Sequence, residues 1–254
     1  FSRTPNFSIY SEDKKLSFTV VNTVKKNCGV LRKNIDLIDD SKFYYESDII
    51  LETEELPGIC YRKYSVVDEG IGMKLVQNYD RFIENKYYKI HLNENGLCIE
   101  DKLLSKKIEK SLWIEESGDE GDSFDYSYPN YDLKITDDLS VSKATYHVSD
   151  EIQWMEINGN LEIPYDLNSR KLKKLDSKLE YVIKIELYKD SKIIHVSGHI
   201  KNEAEQHRVR FVIKGDKKQD YSYAGTQYGI VKRETNPKEL AVWKEENWFE
   251  EPSP

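Results

Sequence analysis

Cysteine is scarce in this 254-residue chain: Cys28, Cys60 and Cys98 stand far apart, form no CxxC pair and are odd in number. That pattern excludes a disulfide framework and points to a reducing compartment. No apolar run approaches the roughly 20 residues that span a bilayer as a helix. No basic, apolar leader opens the chain, so no membrane partner and a cytoplasmic setting are expected. A cationic surplus is missing too. Lys plus Arg number 38 against 46 Asp plus Glu, a formal charge of −8, which argues against sequence-independent nucleic-acid binding. There is no repeat of fixed period to mark a propeller or solenoid. Phosphate-loop, GxGxxG, HExxH and GxSxG patterns are all absent.

What is present is aromatic and alternating. Four Trp, 18 Tyr and 8 Phe provide large apolar surface, and tyrosine suits a sheet face where the ring packs and the hydroxyl finds a partner. A period of two runs through residues 16–20 and 181–188. After a turn at Asp190-Ser191, residues 192–200 read as the returning strand. A polar bend at 202–206 then leads into 208–213, and the three strands are expected to form an antiparallel meander. Residues 87–92 and 97–100 flank Asn95-Gly96, a hairpin signal in which both turn residues take positive φ. Residues 169–180 space Leu172, Leu175 and Leu179 at three and four, which fits a short surface helix or a charged edge strand. The fold class expected is all-β. The glycine-rich acidic break Asp68-Glu69-Gly70-Ile71-Gly72 divides a small β domain, 1–78, from a larger sandwich or barrel, 79–254. The start at Phe1 without a methionine and the end at Pro252-Ser253-Pro254 mark an expected piece of something longer.

Candidate chemistry is sparse. His195 and His199 share a strand face, but four residues along a strand separate their Cα atoms by roughly 13 Å, too far for one zinc at bonds near 2 Å. They read as half-buried polar residues of a sheet face. Residues 115–129 pack carboxylates, two glycines and three aromatics into one stretch. As a calcium loop counted from Asp119 the stretch fails, because Gly121 and Ser123 occupy ligand positions and no glutamate closes it. It is either an acidic turn whose aspartates cap backbone N–H groups or a polar loop presenting carboxylates and a tyrosine to sugar hydroxyls. Arg208 and Arg210 share a strand face and are expected to pair with that acidic segment.

These two segments carry a resemblance. Residues 118–127 (GDEGDSFDYS), followed by Asn202-Glu203-Ala204 and His207-Arg208-Val209-Arg210, resemble the C-terminal region of family 38 glycoside hydrolases, the α-mannosidases, and in particular the bacterial branch that includes mannosylglycerate hydrolases. The flanks agree in order: residues 18–23 (FTVVNT), 56–61 (LPGICY), 83–88 (IENKYY) with Asn95-Gly96, and 228–233 (YGIVKR). Phe124 stands where that family more often has tyrosine. The resemblance implies a small β-sandwich followed by a galactose-mutarotase-like supersandwich truncated at its C-terminal end. It also implies a retaining mannoside hydrolase whose zinc ion, aspartate nucleophile and acid/base carboxylate sit in an upstream α/β barrel of the same polypeptide. No catalytic residue and no metal ligand is then expected in this chain. Asp122, Asp125 and Tyr126 become candidates for contact with the mannoside, and Asp119, His207, Arg208 and Arg210 for structural or domain-interface roles, with homo-oligomer contacts possible as well. Two other readings stay open. One is a carbohydrate-binding module, reported by Trp113, Trp154, Trp243 or Trp248. The other is an aldose epimerase using a histidine such as His147 or His199 with a glutamate.

Overall fold

The computed structural model describes residues 2–27, 43–51, 53, 58–69, 73–74, 76–77, 80–122, 126–140, 142–215 and 217–235. Cys28, the glycines of the 68–72 break, Phe124, Asp125, Trp243, Trp248 and the C-terminal Pro-Ser-Pro lie outside them. The fold is all-β: strands succeed one another along the chain, interrupted by a single helical turn at Leu167–Lys171 among the described residues. No helix there is long and apolar enough to cross a membrane.

The chain divides into two compact units. The first comprises Phe1–Tyr88, Thr145–Met155 and Ile185–Val196. In it Ser8–Ser11 is the central strand between Lys14–Leu16 and Tyr64–Val67. Phe18–Asn27 pairs antiparallel with Phe43–Leu51, with a register shift between Val20 and Asn22. A small core gathers where these strands present apolar side chains. Phe7, Ile9 and Phe18 are buried and packed by Leu16, Val20, Ile49, Leu51 and Tyr64, and the Phe7 and Phe18 rings stack at 5.1 Å.

The second unit comprises Lys89–Ala144, Glu156–Lys184 and Ser197–Pro254. The strand Ser177–Tyr188 shows why this chain folds as sheet. Leu179, Tyr181, Ile183, Ile185 and Leu187 are all buried, while Glu180 and Val182 between them face out, the two-residue period of a pleated strand. It sits inside its sheet, between Ile152–Ile163 and Ile194–Lys201, rather than at an edge. Tyr181 shows how its hydroxyl is accommodated: it donates to Asp137 at 2.6 Å and lies 2.7 Å from the Ser142 hydroxyl, and burial together with Asp137 pushes the phenol well above its usual range.

Four sequence expectations need correction. Residues 169–180 are neither one helix nor an edge strand: a five-residue helix, Leu167–Lys171, ends before the strand that begins at Ser177. The third strand of the expected meander, His207–Ile213, leaves its predecessor and pairs with Leu112–Gly118 from Leu112↔Ile213 to Gly118↔His207. The bend before it is tied elsewhere, since Glu205 N donates to Tyr165 O at 2.8 Å and Asp119 N to Gln206 O at 2.9 Å, with Gln206 at φ 53°. The hairpin turn is Glu94-Asn95, and Gly96 alone takes positive φ, 90°, where an added Cβ would strike the Asp138 carbonyl oxygen. His195 and His199 are exposed rather than half-buried.

Asp176 fastens the helical turn. Its carboxylate accepts from Tyr165 N at 2.9 Å and from the Ser169 hydroxyl at 2.9 Å, and pairs with Lys174 at 3.0 Å. Lys174 and the Tyr165 N–H, acting against burial, bring its pKa down to about 2 from 3.8. A depressed folded-state value means the contribution is present above pH 3.8 and disappears as pH falls through about 2. A carboxyl-detected NMR titration is expected to place the Asp176 midpoint near 2; a midpoint near 3.8 would remove these bonds from the account.

Candidate functional site

The strand Leu112–Gly118 carries two consecutive glutamates that are both buried, Glu115 at 6% exposure and Glu116 at 0%. Neighbouring strand residues point to opposite faces, so each needs its own partner, because an unpaired buried charge is costly. On one face Glu115 is bound by Arg210 and Lys134. Burial alone would raise its carboxyl, but those two cations outweigh it and hold the pKa below the ordinary value. On the other face Glu116 receives Arg170, and the His207 Nδ1 lies 3.1 Å from the same oxygen.

Arg170 organises this second face. It is 2% exposed and comes from the helical turn that Asp166 caps by accepting from Ser169 N at 2.7 Å, an ordinary N-cap arrangement. Its guanidinium also donates to Leu133 O at 2.5 Å and to Asp132 Oδ1 at 3.4 Å. The same Asp132 oxygen accepts from Gly118 N at 2.8 Å. Gly118 is glycine because the arginine passes over it: an added Cβ would lie 2.8 Å from Arg170 Cδ and 2.8 Å from Pro129 Cγ. His207 completes the arrangement, its Nε2 lying 2.9 Å from Asn202 Oδ1, which also accepts from Ala204 N at 3.1 Å. Both ring nitrogens of His207 thus face oxygens that can accept.

The acidic loop stands on this frame. Asp119 caps it from inside, accepting from Gly121 N at 2.9 Å and Ser127 N at 3.2 Å, while Glu120 N donates to Ser127 O at 2.9 Å. Asp122 is exposed beyond that closure. Tyr126 is half-buried, with the Arg208 guanidinium 3.6 Å from its ring centroid, a cation–π stack. Burial raises its phenol pKa against the opposing pull of Arg208. Of the residues singled out from sequence, Asp119, Asp122, Tyr126, His207, Arg208 and Arg210 therefore come together in one unit, and Asp125 lies outside the described residues. His147 and Trp154 stack at 5.0 Å in the first unit, whereas His199 lies on the exposed part of Ile194–Lys201 in the second.

Sequence reasoning missed Arg170 and Asp132, and singled out the segment holding Asn202 without giving that residue a role. Arg170 sits in a lysine-rich run that reads as solvated surface. The signal that points to it is indirect: two buried-strand glutamates require two sets of cations, and Arg210 serves only one.

Compared with known proteins, residues 83–254 match the glycosyl hydrolases family 38 C-terminal domain. Among solved structures, the chain is similar to an alpha-mannosidase from Enterococcus faecalis V583, with a TM-score of 0.67 and 16% identity over 92% of this chain and 29% of that one. It is also similar to a protein in the glycosyl hydrolase family 38 from Enterococcus faecalis, with a TM-score of 0.66 and 17% identity over 92% of this chain and 30% of that one. The chain therefore spans less than a third of the length of either structure, and the likeness at these identities is one of fold. On the match over 83–254, this chain belongs to the glycosyl hydrolases family 38 C-terminal domain family.

Proposed function

We propose that this chain is the non-catalytic C-terminal part of a retaining, zinc-dependent α-mannosidase-type hydrolase, and that its acidic loop contributes one wall of the mannoside site. The observation that carries the reading is the frame under the loop. Arg170, Glu116, Asp132 and His207 hold the strand end at Gly118, Asp119 closes the loop base, and Arg208 fixes Tyr126. Such a frame presents Asp122 and Tyr126 from a rigid support, which is what sugar recognition by a few placed polar groups requires; Asp125 is a candidate from sequence alone. The family membership and the likeness to an alpha-mannosidase support the substrate class.

The chemistry belongs elsewhere in this reading. A retaining glycosidase needs two carboxylates about 5 Å apart on either side of the scissile bond. Glu115 and Glu116 point to opposite faces and are each committed to cations. Nor does the buried cluster suit the zinc ion that the family implies, because a cation at Glu116 or Asp132 would face the Arg170 guanidinium. The nucleophile, the acid/base carboxylate and the family's zinc are accordingly assigned to an upstream α/β barrel of the same polypeptide. Asp119, His207, Arg208 and Arg210 hold the surface that meets it.

The test uses the complete polypeptide. Asp122→Ala, Asp125→Ala and Tyr126→Ala are each prepared and kcat/KM is measured on a nitrophenyl α-mannoside. At least one is expected to lower kcat/KM about tenfold, the loss of one hydrogen bond to a charged or strongly polar group. Unchanged kcat/KM in all three removes the loop from the site.

A further inference from the structure

Away from the glutamate–arginine frame, three side chains of metal-binding type converge on the hairpin made by Tyr88–Asn93 and Gly96–Asp101. One donor atom from each of His91, Cys98 and Glu100 lies within 4.8 Å of the other two. Cys98 and Glu100, two apart on one strand, share a face, and the tight turn at Glu94-Asn95 returns the chain so that His91 lies beside them. Cys98 is a free thiol at 0% exposure. His91 Nδ1 is buried and has no hydrogen-bond partner among the described residues. A buried ring nitrogen left without a partner in a native structure calls for an explanation, and an ion bound there is one.

We propose that His91, Cys98 and Glu100 form a binding site for a divalent transition-metal ion of the zinc type, with a fourth position open to water. The donor set selects the ion. Thiolate and imidazole favour zinc and its transition-metal neighbours, whereas calcium and magnesium take oxygen ligands. Zinc bonds of about 2.0–2.3 Å set tetrahedral donors roughly 3.3–3.7 Å apart. The charges around the site are mixed: Lys107, across the ladder from Glu100, turns its ammonium to Glu109 at 3.0 Å, and Lys89 is the other nearby cation. The expectation of no metal ligand in this chain came from the family resemblance, which places the zinc ligands upstream. Here the ligands are assembled across two strands, where no sequence spacing displays them.

Cobalt(II) titration of the full polypeptide tests the site, because a sulfur-to-cobalt charge-transfer band in the near ultraviolet appears only when a thiolate binds the ion. With the upstream zinc site kept filled, the band is expected to saturate at one further equivalent, to vanish in Cys98→Ser and to persist in Cys60→Ser, whose thiol is exposed and remote in sequence. Glu100→Gln and His91→Gln are expected to weaken cobalt binding at least about tenfold, the loss that even outer partners of a ligand produce. Far-UV circular dichroism without metal checks that each variant folds, and the two Gln variants carry the test if Cys98→Ser does not. No band at millimolar cobalt, a band that survives Cys98→Ser, or unchanged affinity in both Gln variants overturns the site and leaves Cys98 a core thiol.

Discussion

Arg170→Ala is expected to lower the unfolding free energy by about 3–5 kcal/mol, the cost of removing one partner from a buried ion pair. The arginine and Glu116 are exposed by 2% and 0%, so water does not replace the lost guanidinium. Glu116, Asp132 and the Leu133 carbonyl all lose a donor at once. Chemical denaturation of the variant measures the loss as a lower midpoint at unchanged slope. The double variant Arg170→Met with Glu116→Gln is expected to recover part of it, since a neutral amide beside an apolar chain of similar volume removes the uncompensated charge at Glu116 while Asp132 still lacks its arginine. A loss in Arg170→Ala below about 1 kcal/mol, the range of exposed pairs, would mean that the cluster is hydrated and does not hold the loop.

The second large effect tests the sheet rather than the charges. Ile183→Ala is expected to cost about 2–5 kcal/mol, the transfer and cavity cost of a large-to-small change in a packed core. Its neighbour Val182, 37% exposed on the other face, is expected to cost less than about 1 kcal/mol when changed to alanine. Similar losses at the two positions would contradict the alternation on which the strand Ser177–Tyr188 rests.

That strand also marks what the sequence displays. Alternation is a local signal, and residues 181–188 show it because one face is buried and the other is wet. The same logic exposes the hairpin around residue 95 and the strand from His207. The sheet to which a strand belongs is not local. His207–Ile213 follows Ile194–Lys201 through a short polar bend and yet pairs with Leu112–Gly118, because the bend is held by Tyr165 and Asp119, residues some forty and ninety positions away. The site divides in the same way. Asp119, Tyr126, His207, Arg208 and Arg210 stood out as an acidic stretch and a basic strand of opposite sign. Arg170 did not, because its burial depends on Gly118 letting its side chain cross the strand end. His91, Cys98 and Glu100 were hidden for the same reason, being neighbours only after the hairpin closes.

In the function proposed above, these 254 residues support hydrolysis without performing it. The direct measurement is turnover of a nitrophenyl α-mannoside by the purified chain in zinc-containing buffer, set beside the complete polypeptide at equal concentration. Product is expected from the complete polypeptide and none above background from the chain alone. Zinc-dependent release of nitrophenol by the chain alone would contradict it.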